Sequence, residues 1–389
     1  MEKIYGWFRS LILVTALLIA WLMAFPACLS AQNKIDSLTE NLKTEIYKKL
    51  NHFTFGFYVD AYYNATINGR SDTSNVVPFS SNCPVQNQSR MNVAAIEIGY
   101  TADKVRGKLA IQFGDAPNLL ATPESEFIKT LRQANFGFHI SKKLWLDFGY
   151  FLNPVGLEST WPVLNDLSTV SIGGYYEPGN VLGVKLTWNA SDKFWGGVML
   201  GNPYSLAYGK NTHMAVLIFV YYQPVPRLTL NYNNLFGNQA LKNAQIKNDI
   251  LYNNFIITYN PVDPLFFTGQ LDVAAQTHSQ MAPDTNKTAT MFSGLIEAKY
   301  VFLSRFAVTG RYEFFNDDDG FLSGLYLYNN QKRGLFTQGF SAGFEYKPIK
   351  IGYLRLEYKH LYAAPGNDIF LSGKSDQLQS VIFTTGVRF

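Results

Sequence analysis

The chain closes with S-V-I-F-T-T-G-V-R-F, residues 380–389. Val381, Phe383, Thr385, Val387 and Phe389 share one face of an extended strand, and Ile382, Thr384, Gly386 and Arg388 share the other. Side chains alternate across a strand with a period of two. One face is therefore mostly apolar and the other mostly small or polar. This is the pattern of a strand with lipid on one side and water on the other. A soluble antiparallel edge strand gives a similar pattern, so the rest of the chain has to decide.

Composition favours the membrane. The 389 residues are 47% hydrophobic, 15% aromatic and only 16% charged. Charge is low and aromatic content high for a soluble protein. Tyr (24) and Phe (30) dominate the aromatics, as two interfacial girdles would require. A mean hydropathy of −0.05 is too polar for a bundle of membrane helices. One long apolar run, residues 11–25, follows Lys3 and Arg9 and precedes the small residues of A-C-L-S-A at 27–31. That order predicts a secretory signal peptide, cleaved after Ala31. A lipoprotein reading through Cys28 is weaker, because Phe25-Pro-Ala precedes the cysteine. Cleavage removes Glu2, Lys3 and Arg9 and leaves a net charge of +3 (31 − 28). So mild a balance argues against nucleic acid as a partner. Only Cys83 remains after cleavage, so no internal disulfide can form.

Residues 32–52 form a leader of different character. Ile35, Leu38, Leu42, Ile46 and Leu50 fall at helical spacing, which predicts a short amphipathic periplasmic helix. It is a solvated leader, a plug or a partner contact. From Phe53 to Phe389 the period is two. About sixteen strands are expected, near 53–64, 91–101, 104–114, 130–140, 143–152, 181–190, 193–201, 212–223, 226–236, 249–260, 264–275, 290–302, 305–315, 336–347, 352–362 and 378–389. Each is long enough to cross a bilayer when tilted. Seven short turns, such as Ser141-Lys-Lys and Asn260-Pro-Val-Asp-Pro, alternate with eight long loops, the longest at 153–180. A single-chain transmembrane barrel alternates in this way, with short turns periplasmic and long loops outside. The expected fold is therefore an all-β transmembrane antiparallel β-barrel.

Charge sits on one parity. Arg106 and Lys108 face inward in strand 104–114, Glu297 and Lys299 in 290–302, Arg311 and Glu313 in 305–315, and Arg355, Glu357 and Lys359 in 352–362. The opposite parity is almost wholly apolar. Charges are costly against lipid and tolerated in a wet lumen, so the lumen is expected to be polar. Sixteen strands leave room for an aqueous channel. Loop 153–180 is too apolar for a solvated loop, with Val155, Leu157, Trp161, Val163, Leu164 and Leu167. Folded inward, its Glu158, Asp166 and Glu177 would oppose a basic wall of Arg106, Lys108, Lys185, Lys299 and Arg311 and narrow the pore. Folded outward, it would pack on neighbouring loops.

Three stretches carry a family resemblance: G-F-Y-V-D-A-Y-Y-N at 56–64, L-W-L-D-F-G-Y-F-L-N-P-V-G-L-E-S at 144–159, and S-I-G-G-Y-Y at 171–176. The chain resembles the β-barrel porin-2, or OmpL-like, family of Gram-negative outer membranes. The resemblance runs from about residue 53 to 389 and implies passive diffusion of small hydrophilic solutes and ions, with no catalytic residue and no cofactor. The final strand likewise resembles the C-terminal signal of outer-membrane barrels, which makes Phe389 an expected contact of the barrel-assembly machinery. The other expected partners are outer-membrane lipid and further copies of the chain in a homo-oligomer.

Other chemistry finds little support. The five histidines are scattered, with no metal-ligand spacing. Asp317-Asp-Asp-Gly320 offers carboxylates to calcium but lacks the terminal Glu of an EF-hand loop. A barrel enzyme of the lipase or protease type would need a dyad, and His139 with Asp147 is the pairing the strands could bring together. A surface receptor or adhesin would read ligands with the long loops, which show no repeats.

Overall fold

The computed structural model describes residues 50–69, 75–120, 126–202, 214–238, 246–281, 286–328, 331–365, 367–371 and 373–389. The expected signal peptide lies outside the described residues. So does the expected leader helix, apart from residues 50–52.

Eighteen strands are described: β1 Phe53–Thr66, β2 Ser89–Thr101, β3 Val105–Phe113, β4 Leu131–Ser141, β5 Leu144–Phe151, β6 Val181–Ser191, β7 Phe194–Asn202, β8 Ala215–Val225, β9 Leu228–Asn238, β10 Asp249–Val262, β11 Leu265–Gln276, β12 Ala289–Phe302, β13 Phe306–Asp317, β14 Tyr326–Tyr328, β15 Gln331–Arg333, β16 Leu335–Ile349, β17 Gly352–Ala363 and β18 Gln377–Arg388. All but β14 and β15 join one closed antiparallel barrel, in which β1 meets β18 as well as β2. The sixteen expected spans correspond to the sixteen barrel strands. β14 and β15 form a separate hairpin inside the loop between β13 and β16, which the sequence pattern does not separate from its surroundings. No helix among the described residues is long and apolar enough to cross a membrane.

The seam of the barrel is the stretch quoted first. Val59 pairs with Val387, Ala61 with Thr385 and Tyr63 with Phe383. Alternation holds as expected: Phe383 and Val387 are exposed on the outer surface, while Ile382 and Thr384 are buried within. The same parity governs β13, where Val308 and Tyr312 point out and Thr309, Arg311 and Glu313 point in. One-sided charge thus fixes which face meets lipid, because a one-residue slip would place every charge in hydrocarbon.

The short turns share a construction. Gln223-Pro224, Asn260-Pro261 and Lys347-Pro348 lie where β8, β10 and β16 shift register, between Tyr222 and Val225, Tyr259 and Val262, and Tyr346 and Ile349. Proline has no N–H for the ladder and is tolerated at such bulges. This is why these strands run two residues past the expected ends. The residue before each proline donates its N–H to the preceding turn: Gln223 to Lys193 O, Asn260 to Arg227 O and Lys347 to Arg305 O. Aromatics pair just above the short turns, as Phe306 with Tyr346 at 4.7 Å and Trp188 with Phe194 at 6.1 Å. Rings gathered at one end of a barrel are what an interfacial girdle requires.

Candidate pore

Segment 153–180, between β5 and β6, leaves the rim and packs against inward-facing side chains on opposite sides of the barrel. Its two ends are clamped by Asn153. The Asn153 side chain accepts from Val155 N at 2.9 Å and donates to Pro178 O and Gly179 O at 3.1 and 2.9 Å. Gly156 sits at φ +95°, and a Cβ there would run into Glu177, so only glycine fits. The chain then makes a 3₁₀ turn, Pro162–Leu164, and a single helical turn, Ile172–Tyr176. Ser171 caps that helical turn by accepting from Gly174 N at 3.1 Å.

A loop inside a barrel carries backbone groups that no sheet satisfies, and each must find a partner. The wall from β12 to β17 supplies them. Glu357 accepts from Ser168 N at 2.7 Å, Thr169 N at 3.0 Å and Thr169 Oγ1 at 2.5 Å. Glu313 accepts from Ile172 N at 2.6 Å. Lys359 donates to Val170 O at 2.7 Å, and Arg355 to Pro162 O and Asn165 O at 3.2 and 2.9 Å. Carboxylates therefore meet loop N–H groups, and cations meet loop carbonyls. Ion pairs complete the contact: Arg311 to Glu158 at 2.6 Å and Lys299 to Asp166 at 2.5 Å.

Facing that wall, Trp161 is held by β1, β3 and β4. Its Nε1 donates to Gln112 Oε1 at 2.8 Å, the Arg132 guanidinium lies 4.0 Å from its ring, and the Tyr58 ring is 5.2 Å away. Gly156 N and Leu157 N donate to Asn254 and Gln270 on β10 and β11 at 3.2 and 2.8 Å. Contacts on β1, β3 and β4 as well as on β10 to β13 place the segment across the lumen.

The expected site residues separate into two groups. Glu158 meets Arg311 and Asp166 meets Lys299. Arg106, Lys108 and Lys185 line the wall but are not faced by the loop acids that were expected to oppose them. Arg106 binds Asp147 through two N–H groups at 2.6 and 2.5 Å. Lys108 pairs with Glu97 at 3.0 Å, and Lys185 lies 4.5 Å over the Phe151 ring. These partners stand on neighbouring strands of the same wall, nearer than any loop residue. Glu177 accepts from Gln270 Nε2 at 2.6 Å rather than meeting a cation. Burial, with Asp272 adding repulsion, pushes its carboxyl well above the ordinary carboxylate range.

One further expectation is corrected. The lumen is not polar throughout. Toward the long-loop end, inward Met199, Leu217, Leu235, Ile250 and Phe315 form an apolar cluster with Val155 and Ile172 of the loop, and with Phe79 and Phe370 of two other loops. Loops that fold inward need apolar surface to pack on. His139 and Asp147 do not meet either. His139 stacks on Trp145 at 4.4 Å, with Nδ1 2.9 Å from Asp103 O, and Arg106 occupies Asp147. Asp317 accepts from the N–H groups of Phe321, Leu322 and Ser323 at 3.2, 2.9 and 2.8 Å, so it organises a turn. Glu313 and Glu357 face inward by the parity reading, yet nothing in the sequence marks them as partners of loop N–H groups. The stacking of Arg132 on Trp161 has no local sequence signal.

Beside the segment, on the short-turn side, a cavity of about 700 Å³ opens between β1 to β6 and β18. Its charged lining comprises Glu97, Arg106, Lys108, Asp147, Lys185 and Arg388.

A closed sixteen-strand barrel with short turns at one end and a loop laid across its lumen is a porin architecture. The family model described as "Putative beta-barrel porin-2, OmpL-like" matches residues 52–389. The chain belongs to the porin-2 family. Its membership agrees with the resemblance in the three quoted stretches and establishes an outer-membrane porin. No curated protein matches the porin-2 chain in sequence. Among solved structures, OmpF of Salmonella typhi in complex with daunomycin is similar at 10% identity and TM-score 0.60, covering 87% of this chain and 97% of that one. The outer-membrane channel DcaP of Acinetobacter baumannii is similar at 16% identity and TM-score 0.58, with the same shares covered. An anion-selective porin from Comamonas acidovorans is similar at 11% identity and TM-score 0.56, covering 87% of this chain and 99% of that one. At these identities the likeness is one of fold.

Proposed function

We propose that this porin passes small hydrophilic solutes and ions by passive diffusion, without a catalytic step, through a lumen that segment 153–180 narrows. The observation that carries this reading is the segment's attachment to both sides of the inner wall, through Trp161 on one side and Glu158 and Asp166 on the other. A loop so placed takes up cross-section, and the constriction sets the size of solute that passes. Glu158 and Asp166 act here as anchors, and Glu177 as the buried hinge of the segment. Export by the 1–31 signal and recognition of Phe389 by the assembly machinery belong to the same reading. The test is planar-bilayer recording of the purified mature chain, alongside a variant with 156–176 replaced by a short Gly-Ser turn. Conductance should rise severalfold and larger uncharged sugars should enter. Unchanged conductance and sugar cutoff would place the constriction elsewhere. Absence of any channel would end the passive-diffusion reading.

A further inference from the structure

The crossing segment divides the luminal charges into two populations. On the β12 to β17 wall the cations are committed: Lys299 to Asp166, Arg311 to Glu158, Arg355 to Glu345 and Lys359 to Glu313. Arg311, Arg355 and Lys359 are buried with their partners and present little to a passing ion.

The cavity on the other side differs. Four cations, Arg106, Lys108, Lys185 and Arg388, line it with two side-chain carboxylates, Glu97 and Asp147. With the carboxylate of Phe389 included, cations still lead four to three. Exposure widens the difference. The Asp147 side chain is 2% exposed and Glu97 15%, against 29% for Arg106, 39% for Lys108 and 36% for Arg388. The acids lie behind the cations, so an entering ion meets positive charge first. Behind Trp161, Arg132 donates only to the Thr160 and Ser159 hydroxyls, at 2.9 and 3.2 Å, with no carboxylate in ion-pair range among the described residues. The same sign continues at the mouth, where exposed Lys104, Lys142, Lys143 and Lys193 outnumber Asp103 and Asp192 in the adjoining turns.

We propose that this cavity is a vestibule selecting small anions, and that Lys108, Arg106 and Arg388 set the preference. The proposal rests on the channel reading above and adds its solute class. A cleft lined by one sign of charge with low-dielectric walls concentrates counter-ions. Fixed charges within a Debye length, about 10 Å at 0.1 M salt, act with little screening.

Reversal potentials of the purified mature chain in a KCl gradient test it. Chloride should be preferred over potassium by roughly 3–10-fold at about 0.1 M, and less at about 1 M. Lys108→Gln with Arg388→Gln removes both partners of Glu97 and should bring the ratio to about one or below. Glu97→Gln should raise it, so two changes in one cluster move selectivity in opposite directions. Heat-modifiable gel mobility confirms that each variant is folded, and either one alone suffices. A conducting channel that prefers potassium, or whose selectivity neither folded variant moves, overturns the vestibule while leaving the porin standing. A chain that forms no channel overturns both.

Discussion

Replacing Arg311 with Met would separate the barrel from its crossing segment. The guanidinium is fully buried and donates to Glu158 Oε1 at 2.6 Å, Thr169 O at 2.8 Å, Thr169 Oγ1 at 3.1 Å and Ser341 Oγ at 3.3 Å. Glu313 and Glu357 lie a further 3.6 and 3.9 Å from it. Met fills much of the volume but leaves the carboxylates of Glu158, Glu313 and Glu357 short of a cation. Removing one partner of a buried ion pair costs about 3–5 kcal/mol. The barrel ladder does not use this side chain: β13 pairs through its backbone, Arg311 opposite Glu297 on one side and Ser341 on the other. The cost therefore falls on the seating of segment 153–180. At about 1.4 kcal/mol per factor of ten, the unseated population rises by roughly two to four orders of magnitude. Heat-modifiable mobility should show a folded barrel, while limited proteolysis in detergent should show cleavage within 153–180 that the native chain resists. Adding Glu158→Gln removes the carboxylate that pairs most closely with Arg311 and should restore part of the protection. A folded R311M variant as resistant to protease as the native chain would refute the anchoring role.

Phe389→Ser should lower the folded fraction by the same gel measure, because Phe389 stacks on Phe57 at 5.4 Å and the two residues exchange backbone hydrogen bonds of 2.7 and 3.0 Å across the seam. Wild-type levels of folded barrel would count against this. Cys83 should resist an impermeant thiol reagent until the protein is denatured, since it is buried and burial pushes its thiol pKa up; labelling of the native barrel would contradict the packing of that loop. Glu177 has a raised carboxyl pKa in the seated segment, so its contribution is fully present below the ordinary Glu value of about 4.3 and is lost as pH rises toward the raised one. Protease protection of 153–180 should accordingly fall as pH rises above the ordinary Glu range, and Glu177→Gln should flatten that dependence.

The parity of charge along each strand made the barrel legible in sequence, and the alternation of short turns with long loops marked its strand connections. Prolines marked the turns, though not the two residues by which strands outlast them, because a bulge shifts register without breaking the ladder. The site was half legible. The acids of 153–180 and inward Arg311 and Lys299 are visible as complementary charges. Their pairing depends on where a loop without periodicity crosses a barrel, and that is set by its backbone. Glu313, Glu357 and Lys359 look in sequence like ordinary wetted wall. Their use, binding loop N–H and C=O groups, appears only once the loop is in place. Arg106 stands on the wall as its parity implies, but it does not face the loop acids. Its partner Asp147 stands on β5, two strands away in the same wall, closer than the loop.

The closed seam also bears on how the barrel is made. Nearly every strand pairs with a neighbour in sequence, so most of the sheet can grow hairpin by hairpin at small entropic cost. The β1–β18 contact joins opposite ends of the chain. Loop-closure entropy makes that step about 2–4 kcal/mol dearer than forming a hairpin. Until it happens, β1 and β18 are edges with unpaired N–H and C=O groups, able to template on another chain. The hydrogen bonds between Phe57 and Phe389 thus stand at the last join, and a defect there would leave an assembled sheet unclosed and prone to aggregate, with every hairpin intact.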